Sequence, residues 1–212
     1  RDTDRSRGLG DVYKRQYVDD AVQEIADFVG DSYYLSKVCM EREESLIIFC
    51  GVRFMGESAK ILNPHKTVVM AENMADCPMA HMIDIETIEE VRCEHDDLAV
   101  VCYINSDTEI KAHSDVIVTS SNALHIVKKL PQKKIFFIPD EHLGRYIAGK
   151  LPEKEFIFNN GFCHVHTSIT KENVLKAKEV MPEAKVLVHP ECSLEVVMLG
   201  DYVGSTSGII DY

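Results

Sequence analysis

Ala26-Asp27-Phe28-Val29-Gly30-Asp31-Ser32 sets a pattern that the chain repeats: an apolar pair, a small turn residue, then a hydroxyl able to open a helix. It returns as Ser114-Asp115-Val116-Ile117-Val118-Thr119-Ser120 and as Gly200-Asp201-Tyr202-Val203-Gly204-Ser205-Thr206. The leading aspartates are 88 and then 86 residues apart, and a fixed period of this size means a duplicated unit. Each copy reads as a short buried strand whose carboxyl end stops at a Ser/Thr N-cap. The freed backbone N–H groups and the helix dipole there favour anions, phosphate above all. One such turn alone would be an ordinary capped helix start; three in register point to a shared anion site. Its candidate residues are Ser32, Ser120, Ser205 and Thr206.

The 212 residues exceed one average domain. Hydrophobic content of 45% and charged content of 27% are those of a soluble globular protein. A net charge of −12 argues against nucleic acid and anionic membrane as partners, and no apolar run approaches the roughly 20 residues of a bilayer span. Seven scattered cysteines do not form a secreted disulfide framework. A reducing, cytosolic setting is expected, with the thiols buried or binding metal.

Outward from the opening stretch, the chain alternates strands and helices. Asp19 or Asp20 caps a helix bearing Ala21, Val22, Ile25 and Ala26 on one face. Phe28-Val29 is expected as a strand, with Ser32 opening the next helix. Leu46–Cys50 reads as a strand buried on both faces, Phe54–Leu62 as a helix and Thr67–Met70 as a strand. Then come strands at Leu98–Ile104, Asp115–Val118, Ile135–Ile138 and Phe156–Phe158, with helices at 107–112, 121–130 and 143–150 between them. A helix at Lys171–Val180 precedes Val186-Leu187-Val188. Short links between alternating elements mean parallel βαβ units. The expected divisions are 1–16, 17–90 as a first α/β unit, 91–180 as a second, and 181–212 as the start of a third. Residues 1–16 (RDTDRSRGLGDVYKRQ) stand outside the pattern. Strands precede Asp115 and Asp201, whereas Arg15, the equivalent position before Asp27, lies in a charged stretch. The segment reads as foreign sequence in place of a first strand, or else as a disordered tail.

Two sets of residues carry chemistry. Cys77 lies 50 residues after Asp27 and Cys163 lies 48 after Asp115, so equivalent ends of two units each present a thiol. A third unit would place its cysteine near position 250, about 48–50 residues after Asp201 by the same period. Three such thiolates suit an iron–sulfur cluster with one open, Lewis-acidic iron, or zinc. Cys50 and Cys102 sit in apolar strands and read as core; Cys192, beside Glu191, could line the site. Ligands in open α/β sheets bind outside the carboxyl ends of strands. Those ends carry Tyr103-Ile104-Asn105 and His189-Pro190-Glu191, with Tyr17 in the first unit's register. His166, three residues after Cys163, falls in the same region, and His164 faces away. Such groups suit proton transfer to a polar substrate.

VQEIADFVGDSYYLSK (22–37), FCGVRFMGESAKILNP (49–64), CPMA (77–80), YINSDTEIKAHSD (103–115), NNGFCHVH (159–166), VHPEC (188–192) and DYVGST (201–206) together resemble one family, the quinolinate synthases of bacterial NAD biosynthesis. The resemblance runs from Tyr17 to Tyr212. It implies a pseudo-threefold repeat of three-layer α/β/α domains with short parallel sheets, of which two units and the start of a third are present. It also implies a [4Fe–4S] cluster held by one cysteine per domain, here Cys77 and Cys163, the third lying beyond the chain's end. The implied reaction condenses iminoaspartate with dihydroxyacetone phosphate to quinolinate, releasing phosphate and water, with a functional link to an enzyme that produces iminoaspartate. By position, Tyr17, His189 and Glu191 would carry proton transfers. Ser32, Tyr103, Asn105, Ser120, His166, Ser205 and Thr206 would bind substrate. The family's His-x-Tyr reads Arg15-Gln16-Tyr17 here, so its histidine is missing. The expectation is therefore a piece of a synthase, inactive by itself. A phosphate- or carboxylate-binding α/β protein with incidental cysteines, or a structural zinc site, is the alternative.

Overall fold

The computed structural model describes residues 18–212. It divides into two compact units, one ending at Cys77 and one running from Pro78 to Tyr212. The first contains α1 (Asp20–Ile25), α2 (Ser32–Glu41), β1 (Leu46–Phe49), α3 (Arg53–Leu62) and β2 (Thr67–Met70). Strands β1 and β2 are parallel, Leu46 opposite Thr67 and Phe49 opposite Met70, with α3 as the crossover between them. Helix α3 lies close to β2 because Gly56 has no side chain there: an added Cβ would stand 2.1 Å from the Met70 sulfur. Buried Asn63 ties the two helices, its Nδ2 donating to the carbonyls of Ser36 and Ala59. Lys66 Nζ donates to the carbonyls of Cys39 and Arg42, satisfying the end of α2.

Three local expectations are corrected in this unit. No strand forms at Phe28-Val29, where the chain is exposed and has no pairing partner among the described residues. Asp31, one residue before Ser32, caps α2: its carboxylate accepts the Tyr34 amide at 2.8 Å. A carboxylate outdoes a hydroxyl here because it also complements the helix dipole. Strand β1 is apolar but not buried on both faces, Leu46 being 57% and Ile48 68% exposed. Only β2 pairs with it among the described residues.

The second unit opens with a 3₁₀ turn at Pro78–His81 and α4 (Ile85–Glu94), a helix the sequence pattern concealed because Ile88 is its one fully buried side chain. Next come β3 (Leu98–Tyr103), α5 (Thr108–Ala112), β4 (Val116–Val118), α6 (Ala123–Lys129), β5 (Lys134–Ile138), α7 (Glu141–Ala148) and β6 (Glu155–Phe158). The four strands form one parallel sheet in the order β4-β3-β5-β6. All six residues of β3 are buried, which is why Leu98-Ala99-Val100-Val101-Cys102-Tyr103 carries no alternation. Its side chains share a core with Ile88, Ile110, Phe136 and Ile138.

The unit continues through α8 (His164–Thr167), α9 (Lys171–Val180), β7 (Leu187–Val188), α10 (Leu194–Val197), β8 (Tyr202–Val203) and α11 (Thr206–Asp211). Strands β7 and β8 form a second parallel sheet. The recurring aspartates do the same work in both sheets. Asp115 Oδ2 accepts the Val100 amide at 2.7 Å while the Asp115 amide donates to the Val100 carbonyl. Asp201 Oδ2 accepts the Val186 amide at 2.8 Å and its own amide donates back to Val186. The aspartate thus locks the second strand of each pair beside the first. Parallel pairing then puts the carboxyl ends of neighbouring strands at one edge, where the polar residues collect.

Candidate active site at the strand ends

Glu191 is the centre of that edge. It follows β7 by three residues, is buried, and receives groups from two other elements of the unit. Tyr103, the last residue of β3, donates its hydroxyl to Glu191 Oε1 at 2.5 Å. His166 of α8 places Nδ1 3.0 Å from Glu191 Oε2. The His189 ring stacks on that of His166, with centroids 4.9 Å apart and planes 20° from parallel. The Glu191 amide donates to His189 Nδ1 at 3.3 Å, so a neutral His189 carries its proton on Nε2.

The charges follow from this geometry. Burial drives Glu191 towards its neutral form, but His189, His166 and Tyr103 outweigh it and hold its pKa at about 2. Burial also opposes charge on His166, yet its contacts with Cys163 and Glu191 raise it to about 10. His189, buried and beside cationic His166, drops to about 4 despite Glu191. Tyr103 is pushed well above its usual range by burial and by Glu191, with Ser120 acting the other way. At neutral pH the cluster is thus a carboxylate, an imidazolium, a neutral imidazole and a phenol. Inside a low-dielectric site each of these interactions is stronger than in water.

Cys163 closes the group. It sits five residues beyond β6, and its Sγ, a His166 ring nitrogen and a Glu191 carboxylate oxygen all lie within 4.8 Å of one another. His164, two positions from His166, is exposed. Cys77 ends the first unit and is buried as well, and neither thiol is in a disulfide. Two shielded thiols, each following a strand, are donors of the kind that iron–sulfur clusters use. Cys50 is exposed rather than core, at the end of half-covered β1, whereas Cys102 is buried as expected. Cys192 packs with Val174, Val188 and Val196. Burial, then Glu191, pushes its thiol up to about 12, so it stays protonated.

The remaining candidates do not join the Glu191 cluster equally. Ser120 follows β4 and reaches the Tyr103 phenol's surroundings; Asn105 is half-buried two residues past Tyr103. Ser205 caps α11, accepting the Gly208 amide at 3.2 Å, and Thr206 is that helix's first residue. Ser32 begins α2 in the other unit. Tyr17 and the segment 1–16 lie outside the described residues.

Asp140 is a site residue that the sequence pattern does not single out. It follows β5, is fully buried, and caps α7 through Oδ1, which accepts the Leu143 amide at 2.7 Å. Its Oδ2 has no hydrogen-bond partner among the described residues. Burial and Glu191 push its carboxyl well above the usual range. The strand-end rule, applied to the third strand of the sheet as well as the first, would have found it.

A family model described as NadA: Quinolinate synthetase A protein matches residues 12–212, beginning inside the segment the sequence pattern sets apart. Curated relatives named quinolinate synthase include one from Caldicellulosiruptor bescii, 55% identical over 201 residues, which are 95% of this chain and 66% of that protein. One from Fusobacterium nucleatum is 57% identical over 200 residues, 94% of this chain and 67% of that protein. One from Clostridioides difficile is 52% identical over 191 residues, 90% and 63% of the two chains. The chain thus spans about two thirds of the length of the relatives it matches.

Proposed function

The chain belongs to the quinolinate synthase family, and from that membership we propose that the whole protein condenses iminoaspartate with dihydroxyacetone phosphate, releasing phosphate and water to form quinolinate. The observation that carries the reading is the buried Tyr103–Glu191–His166 network at the strand ends, beside Cys163. Condensation and dehydration need protons removed from carbon and delivered to departing oxygens. Glu191 and His189 are the groups placed for those transfers, and His166 pairs with Glu191 through Nδ1. His189 presents Nε2–H to a substrate oxygen while its Nδ1 is anchored on the main chain. Tyr103 keeps Glu191 oriented, and Tyr17 joins the proton transfers. Ser32, Ser120, Ser205 and Thr206, with Asn105, take the phosphate and carboxylates. The binding-only alternative is not favoured by relatives that are named as synthases.

The donor chemistry also suits the [4Fe–4S] cluster of this reading. Cys77 and Cys163 would hold it, and it would supply Lewis acidity towards a hydroxyl or carboxylate at the site. Thiols outside any disulfide accord with a reducing cytosol as the setting, and a supplier of iminoaspartate is the partner enzyme. No helix among the described residues is long and apolar enough to cross a membrane. The cluster is tested by anaerobic reconstitution with iron and sulfide in a protein of the relatives' full length. Cys77→Ser and Cys163→Ser are each expected to abolish the iron chromophore, and Cys50→Ser to leave it. A complete cluster in Cys163→Ser would remove Cys163 from the ligand set.

A further inference from the structure

We propose that Cys163, His166 and Glu191 also form a mononuclear site for a divalent transition metal of the zinc type, one that excludes the iron–sulfur cluster while it is filled. The site shares Cys163, His166 and Glu191 with the function proposed above but does not involve Cys77, so the two readings fail separately. Three observations on this unit point to it. The three donor atoms lie within 4.8 Å of one another and all three residues are buried. Bond lengths of about 2.3 Å to sulfur and about 2.0–2.2 Å to nitrogen and oxygen put tetrahedral ligands roughly 3.3–3.6 Å apart. The set therefore needs to draw in by about 1 Å, within the reach of side-chain adjustment. One sulfur, one nitrogen and one oxygen donor are a mixture that zinc accepts and that calcium and magnesium do not.

The surroundings supply the second shell that such a site requires. Tyr103 fixes Glu191 through Oε1 at 2.5 Å, leaving the carboxylate's orientation set before any ion arrives. The stacked His189 ring fixes the plane of His166. Asp140, fully buried, has its Oδ2 without a hydrogen-bond partner among the described residues. A three-ligand zinc site keeps a fourth position for water. Thiolate and carboxylate together neutralise the ion, so the low dielectric does not oppose its entry.

Cobalt(II) added to the anaerobic, cluster-free chain tests this, because tetrahedral cobalt bound to sulfur gives a near-ultraviolet charge-transfer band and intense visible bands. One equivalent of cobalt is expected to develop both, and zinc to remove them. Cys163→Ser is expected to lose the charge-transfer band, Cys77→Ser to keep it, and Tyr103→Phe, which retains the fold's packing, to weaken binding by about 10–100-fold through the second shell. A charge-transfer band that survives in Cys163→Ser overturns the proposal. So does one lost in Cys77→Ser, a Tyr103→Phe titration identical to the native one, or pale octahedral spectra throughout.

Discussion

At the scale of single residues, the site is a balance of burial against charge around Glu191. Replacing Glu191 by Gln keeps the shape but leaves the buried His166 cation uncompensated, and breaking a buried pair in this way costs about 3–5 kcal/mol. Urea denaturation of the two proteins at neutral pH measures it; a loss under about 1 kcal/mol would mean that the pair is open to water. Acid titration isolates His189. Its folded pKa of about 4 lies below the ordinary value of 6.5, so the unfolded chain binds the extra proton. Stability is therefore present above pH 6.5 and is lost as pH falls towards 4. His166 runs the other way, its contribution complete below 6.5 and lost as pH rises to about 10. His189→Gln is expected to flatten the melting temperature between pH 6.5 and 4 relative to native, and an unchanged acid limb would refute the assignment. Most of the cluster was legible in the sequence, since Tyr103, His189, Glu191 and His166 stand at strand ends or next to a strand-end cysteine. Asp140 was not, because Pro139-Asp140-Glu141 looks like a helix start and serves as one, through its other oxygen. The serines look alike as helix caps in the sequence, yet of Ser32, Ser120 and Ser205 only Ser205 caps a helix, α11. Ser205→Ala is thus expected to cost about 1 kcal/mol of stability. Ser120→Ala, with no cap to lose, is expected only to weaken phosphate-substrate binding by about 10–150-fold. Unchanged substrate affinity in both variants would remove the hydroxyls from the site.

At the scale of elements, Asp115 and Asp201 are strand locks. The lock needs a partner 15 residues earlier, Val100 for Asp115 and Val186 for Asp201. For Asp27 that partner falls at position 12, outside the described residues, and Phe28-Val29 forms no strand. Pairing decides strand formation here more than apolar content does, which a local reading of Phe28-Val29 could not register. Two glycines separate rigid from yielding contacts between elements. A Cβ on Gly161 would meet the Pro139 carbonyl oxygen at 2.3 Å, against backbone that is bridged to it through Asp140 and Glu141. A Cβ on Gly56 would meet only the Met70 thioether. Gly161→Ala is expected to destabilise by about 1–3 kcal/mol and to disturb Cys163 two residues on. Gly56→Ala, against a flexible side chain, is expected to cost less, and equal losses in the two melting curves would contradict the distinction.

At the scale of the molecule, the net charge of −12 is the opposite of what a nucleic-acid-binding surface carries. Family membership was legible from the ordered motifs, and the family match covers residues 12–212. The α/β class with short parallel sheets was legible from the alternation of elements. What the alternation did not contain is which side chains meet, since Tyr103 and Glu191 are 88 residues apart and only the packing of two sheets in one unit joins them. The most direct test of the proposed chemistry is quinolinate formation from iminoaspartate and dihydroxyacetone phosphate, by a cluster-loaded protein of the relatives' full length. Native protein is expected to be active, with His189→Gln and Glu191→Gln each lowering kcat by about 10²–10⁴-fold as lost proton-transfer groups. Native rates in the Glu191→Gln protein would contradict the central role of that carboxylate in the reaction.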